Sequence, residues 1–155
     1  MNSIAEKYLE KNRNINRGYR KLHVWREAID LFSLINKKMK TLKELSFKVK
    51  GQIEDSALSV SSNIAEGYCR RYLKENIQFN SIALASLGEN YSQVFALFNA
   101  EDIDEEWFNK YDQIHYSIEN KLIKLNKTSI ENLSKNYDWK NDYLLKEDIE
   151  VYNDL

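Results

Sequence analysis

No proline occurs among the 155 residues of this chain, and only four glycines do, Gly18, Gly51, Gly67 and Gly88. Strand-rich domains spend those two residue types at hairpin turns and bulges, so a chain nearly without them must turn rarely and run long between turns. Long helices meet that demand. The apolar residues agree, because they recur at three-four spacing, which lines one face of a helix, rather than alternating as on a half-buried strand.

Leu22, Trp25, Ile29, Phe32, Ile35 and Met39 predict a first helix over about residues 20–40, and Val24, Leu31 and Leu34 widen its stripe toward a contact with another subunit. Thr41 followed by Glu44 is a capping-box pattern that opens a second helix, whose stripe is Leu45, Val49, Ile53, Ala57, Val60 and Ile64. Beside that stripe lie Ser56, Ser59, Ser62, Asn63 and Gly67. Such small side chains predict a close, partly polar seam in which each buried polar group needs a partner. A third helix over about 74–99 carries two stripes, one through Leu84, Leu87, Tyr91, Val94 and Phe98, the other through Phe79, Ala83, Ser86, Asn90, Gln93 and Leu97. Asp102, Asp104, Glu105 and Glu106 mark the start of a fourth, with Trp107, Tyr111, Ile114, Ile118, Leu122 and Leu125 inward. Thr128 to Glu131 repeats the capping pattern and predicts a short fifth helix through Lys135. The fold expected is an all-α, antiparallel up-down four-helix bundle over 19–127, with a polar basic N-terminal arm at 1–18 and an acidic C-terminal extension, short helix or tail, at 128–155.

Hydrophobic residues at 43% supply a core and charged residues at 30% a wet surface, for one domain. No apolar run approaches the roughly 18 residues of a membrane span, and no signal-peptide pattern follows Met1, so a cytoplasmic protein is expected. The single Cys69 excludes an intramolecular disulfide. A net charge of -1 hides a split: residues 1–50 hold 13 Lys and Arg against 5 acids, residues 101–155 hold 7 against 14. Either the basic third meets an anionic partner, or the two thirds neutralise each other within or between subunits.

Enzyme chemistry finds little support. His23 and His115 fall on different helices with no paired ligands, so no metal is expected; no glycine-rich phosphate loop exists, so no nucleotide cofactor is expected. Ser59, Ser61 and Ser62 lie inside a helix, without the strained elbow that exposes a nucleophile. Cys69 beside Arg70 and Arg71 has cations that favour a thiolate, with nothing else to mark a nucleophile. The candidate nucleic-acid contacts are Arg13, Arg17, Arg20, Lys21, Arg26, Lys37, Lys38, Lys40, Lys43, Lys48 and Lys50, each able to displace a counterion from a phosphate. Tyr19 and Tyr72 add stacking surfaces beside Arg20 and Arg71.

His23-Val24-Trp25-Arg26-Glu27-Ala28, Gln52-Ile53 and Ser59-Val60-Ser61-Ser62-Asn63-Ile64-Ala65-Glu66-Gly67, with Ser81-Ile82-Ala83, Ser86-Leu87 and Glu89, resemble the four-helix bundle proteins encoded within bacterial ribosomal-RNA intervening sequences, the 23S rRNA-intervening sequence protein family. The likeness spans about residues 20–126. It implies a four-helix protomer assembling as a barrel-like homopentamer without enzymatic activity. Related bundles serve as accessory subunits of reverse transcriptases in diversity-generating retroelements, binding polymerase and nucleic acid. Carried onto this chain, the resemblance makes Asn63, Glu66, Arg70, Glu89 and Gln93 a structural polar seam between the second and third helices. This chain departs from the pattern at Ser61, commonly Pro; at Glu54 and Asp55, commonly basic; and at Asn90-Tyr91, commonly Leu-Glu.

The function expected is therefore a non-catalytic, homo-oligomeric adaptor that binds structured RNA, a nucleic-acid enzyme or both, most specifically as the accessory subunit of a reverse transcriptase. No cofactor, small-molecule substrate or membrane partner is expected. The alternative is a protein-binding scaffold without a nucleic-acid role, whose basic arm and acidic tail pair across subunits.

Overall fold

The computed structural model describes residues 1–12 and 14–135. Among them the chain is all-α: α1 Ser3–Leu9, a 3-10 helix Ile15–Lys21, α2 His23–Met39, α3 Phe47–Cys69, α4 Leu73–Asn99 and α5 Glu105–Ser134. The α3–α4 contact is the most extensive, and α2–α3, α4–α5 and α2–α5 contacts close a circuit of the four long helices around one core.

The arm is helical and fastened to that core. The Arg20 guanidinium donates to the carbonyls of Tyr8 (2.9 Å), Lys11 (3.0 Å) and Asn12 (3.0 Å), at and just beyond the end of α1. Tyr19 packs edge-on against Trp25, ring centroids 5.2 Å apart, which ties the 3-10 helix to α2.

On α2 the buried residues are Val24, Ala28, Leu31, Ile35 and Met39, so Val24 and Leu31, expected to look outward, sit in the protomer's own core. Trp25 and Phe32 are half-buried around it. The inward face is thus centred on Ala28, Leu31 and Ile35, with the bulky rings of Trp25 and Phe32 at its flanks. Two predicted helix starts are also displaced. The Thr41 hydroxyl donates to the Lys38 carbonyl (2.7 Å) and so ends α2, while Ser46 caps α3 by accepting from the Val49 N–H (3.3 Å). The Thr128 hydroxyl donates to the Lys124 carbonyl (3.0 Å), a bond made inside a continuing helix, so α5 runs unbroken and no separate fifth helix starts there. Asp104 caps α5 as its position suggests, accepting from the Trp107 N–H at 2.8 Å.

The α3 stripe of Ile53, Ala57, Val60 and Ile64 is buried, with Ser56, Ser61 and Gly67 beside it. Ser61 lies in an uninterrupted helix, its hydroxyl donating to the Leu58 carbonyl (3.1 Å). Gly67 sets how near α4 comes: a Cβ there would stand 2.8 Å from the Phe79 Cβ and 3.3 Å from the Asn76 carbonyl oxygen. Gly88 has nothing within 4 Å of the same position. Gly67→Ala is therefore expected to cost about 1–3 kcal/mol by overpacking, whereas Gly88→Ala stabilises by about 0.5–1 kcal/mol through helix propensity. Urea unfolding midpoints read both signs.

Candidate nucleic-acid interface

The eleven basic candidates do not form one patch. Arg13 lies outside the described residues. Arg17, Arg20, Lys21 and Arg26 gather where α2 begins, and Lys37, Lys38, Lys40, Lys43, Lys48 and Lys50 where α2 ends and α3 starts. Even their nearest members along α2, Arg26 and Lys37, are about 16 Å apart along the helix axis at 1.5 Å per residue.

Several of these cations already have structural work. Arg20 holds the end of α1, Arg26 donates its Nε to the Arg20 carbonyl (2.8 Å), and Arg17 donates to the Asn12 carbonyl (3.2 Å). Lys38 pairs with Asp104 at 3.2 Å and lies over the Trp107 ring. The Trp107 N–H and the Lys38 ammonium together hold the Asp104 carboxyl below the usual carboxylate range. Lys21, Lys37, Lys40, Lys43 and Lys48 are exposed and Lys50 is half-buried. At the arm end a cleft of about 360 Å³ is lined by Leu9, Arg17, Gly18, Lys21 and Tyr68. Of the two tyrosines considered for stacking, Tyr19 is taken up by Trp25 and Tyr68, and Tyr72 is exposed with the Arg71 guanidinium 5.8 Å from its ring.

The polar seam between α3 and α4 includes two of the five residues expected and centres on others. Asn63 bonds back to Ser59 along its own helix, Glu66 pairs with Arg70 along the same helix, and Glu89 accepts from Gln93 (3.1 Å) within α4. Two of the five reach across: Gln93 accepts from the Ser56 hydroxyl (2.8 Å), and Arg70 stacks over Phe79, 4.5 Å from the ring centroid. The centre of the seam is Asn90, 0% exposed. Its amide donates to the Ile53 carbonyl (2.9 Å) and the Ser56 hydroxyl (2.9 Å), and its oxygen accepts from Tyr111 of α5 (3.0 Å). Nearer the α3 terminus, Asn76 donates to the Gly67 carbonyl (2.9 Å), and the Ser59 and Ser86 hydroxyls are 3.0 Å apart.

The groups considered for catalysis have other partners. Burial pushes the Cys69 thiol up, against the thiolate that Arg70 and Arg71 suggested, and the thiol donates to the Asn16 carbonyl (3.2 Å). Arg70 turns to Glu66 and Phe79 instead. His115 is buried with Nε2 3.0 Å from the Leu87 carbonyl; an oxygen of that kind only accepts, so Nε2 carries the proton. Among the described residues no three His, Cys, Asp or Glu side chains are grouped to hold a metal ion, and no helix is long and apolar enough to cross a membrane.

The sequence profile described as 23S rRNA-intervening sequence protein matches residues 20–127, more than two thirds of the chain. The chain belongs to the 23S rRNA-intervening sequence protein family. A crystal structure from Bacteroides thetaiotaomicron VPI-5482, of a protein with unknown function from the S23 ribosomal protein family, superposes with a TM-score of 0.64 at 24% identity, covering 67% of this chain and 98% of that one. That likeness shows the fold. No curated protein matches.

Within the 23S rRNA-intervening sequence match fall α2, α3, α4 and most of α5, hence the whole Asn90 network; α1 lies outside it. Asn90 stood out in the sequence as a departure from the family pattern, but its partners could not be read there, because Ile53, Ser56 and Tyr111 come from two other helices. Burial pushes the Tyr111 hydroxyl far above the ordinary phenol range, and the charges of Tyr91 and Asp112 add to that. The folded chain thus keeps a proton that the unfolded chain releases near pH 10. Stability falls as pH rises above that point, and Tyr111→Phe is expected to flatten the fall in pH-dependent denaturation curves. Asn90→Leu strands the Tyr111 hydroxyl and is expected to cost about 1–3 kcal/mol, most of it recovered in the Asn90→Leu/Tyr111→Phe double variant, where neither polar partner remains. Equal loss in the single and double variants would show that the amide acts through packing.

Proposed function

We propose that this chain is a non-catalytic, homo-oligomeric adaptor built as an antiparallel up-down four-helix bundle, which binds structured RNA, a nucleic-acid enzyme or both, and serves as an accessory subunit of a reverse transcriptase in the cytoplasm. The observation that carries the nucleic-acid reading is the run of lysines where α2 ends and α3 begins, with Lys37, Lys40, Lys43 and Lys48 exposed. The topology is supported by the order of bonds between neighbouring helices: Lys38 and Asn36, late in α2, meet Asp104 at the start of α5 and Glu54 in the first half of α3 (2.9 Å), while Glu27, early in α2, meets Ser117 further along α5 (3.0 Å). The non-catalytic reading is supported by the carbonyls that occupy Cys69 and His115.

A second observation favours assembly with copies of itself; the number, five, is what the family resemblance implies. Tyr116, Ile123 and Ile130 are exposed on α5 seven residues apart, hence on one face, and Phe95 of α4 is exposed too. The scaffold alternative keeps this face and drops the RNA.

Salt separates the two readings. With four to six phosphates neutralised, affinity for a structured RNA is expected to fall on the order of 100-fold or more between 50 and 200 mM salt, measured by filter binding. Lack of retention at 50 mM, or a salt-independent affinity, leaves the scaffold reading. Native mass spectrometry of Ile123→Glu/Ile130→Glu tests the face itself: five copies in the parent and fewer in the variant are expected, and an unchanged mass sinks it.

A further inference from the structure

Phe47 is 92% exposed, the most solvent-facing large apolar side chain among the described residues. Leaving such a ring in water forgoes about 1.5–3 kcal/mol of burial, although its neighbours Leu45 and Val49 both pack against the core. It stands at the mouth of a cleft of about 310 Å³, shared with Met39, Lys40, Lys50 and Gly51. Gly51 lies one turn beyond Phe47 and has no atom within 4 Å of where its Cβ would be, so no side chain from that position covers the ring. Between residues 37 and 50 six lysines meet a single acid, Glu44. Of the other nearby acids, Glu54, at the cleft wall, accepts from Asn36 (2.9 Å), and Asp104 is paired with Lys38.

We propose that this end of the bundle is a binding site for single-stranded nucleic acid, in which one unpaired base stacks on the Phe47 ring while its flanking phosphates lie against Lys40, Lys43 and Lys48. The inference rests on the nucleic-acid reading above and narrows it to one end of the molecule and one mode of contact. A flat ring offers its π-face to any base, and lysines at its rim offer mobile positive charge to a backbone of irregular path. An apolar protein surface pressed onto Phe47 would have to strip water from those same ammonium groups without pairing them. A phosphodiester backbone pairs them. The arm-end cations fit this role less well, because the guanidiniums of Arg20, Arg26 and Arg17 are engaged with carbonyls.

The test is fluorescence anisotropy of a labelled 12-nucleotide oligouridylate with the full chain at 50 mM salt. Phe47→Leu keeps an apolar side chain but no π-face, and is expected to weaken binding roughly 5- to 100-fold. Phe47→Trp is expected to bind at least as tightly as the parent. Lys48→Gln is expected to lower the slope of log affinity against log salt by about 0.7. Unchanged thermal melting of each variant shows that the fold is retained. If the oligonucleotide binds the parent and Phe47→Leu equally, this site is wrong while the wider reading stands; if the parent binds neither oligouridylate nor structured RNA at 50 mM, both fall. A Phe47→Leu variant that binds the oligonucleotide normally but loses copies in native mass measurement makes Phe47 a protein contact and overturns the proposal.

Discussion

The close approach of α3 and α4 is the constraint on which the rest of the molecule depends. Gly67 permits it at one end, where Asn76 fills the gap and bonds the Gly67 carbonyl. Asn90 imposes it in the middle, since its amide reaches the Ile53 carbonyl only if the helix axes stay near and in register. A buried amide is costly unless every one of its polar atoms is answered, which makes sliding by a turn unfavourable in a way that leucines facing leucines would not. Tyr111 carries the same restraint into α5, and α2 closes the circuit through Glu27, which accepts from Ser117 and Lys121.

With the helices held in that register, charge is sorted by position along the bundle. The guanidiniums near the start of α2 are drawn inward, to the carbonyls of the arm, and become part of the fold. Among the described residues the lysines at the other end have no such demand on them, apart from Lys38. Acids of the α4–α5 turn, which an overall charge near zero would suggest as their partners, meet them through Asp104 and Lys38. The aromatic rings at that end divide likewise: Phe98 and Phe108 stack with centroids 4.3 Å apart, Trp107 lies on Tyr111, and Phe47 faces water.

What could be read along the chain followed from local physics. Sparse turn formers and three-four apolar spacing imply long helices, and α2, α4 and the start of α5 lie close to where the pattern puts them. Ile53, Leu87 and Ile118 are buried as their stripes require. Where the local signal was a hydroxyl, it misled. Thr41 and Thr128 satisfy the same capping pattern that Ser46 does not need, yet both bond backward to a carbonyl of the preceding turn. A threonine cannot tell from its own neighbours whether the helix ahead has ended.

By itself, then, the sequence determined that this chain is helical, roughly where its helices run, that its cations crowd the first third, and which family motif it carries; all of these are properties of neighbouring residues or of composition. Only the tertiary structure decided which face of α2 is inside, that Asn90 is the hub of the seam while Asn63 and Glu66 bond along their own helix, and that the basic third divides into a structural group and an exposed one. Those outcomes depend on groups 20 or more residues apart in sequence, such as Asn90 with Tyr111, meeting across helix axes. No pattern within one helix records which partner helix lies opposite or how closely it approaches.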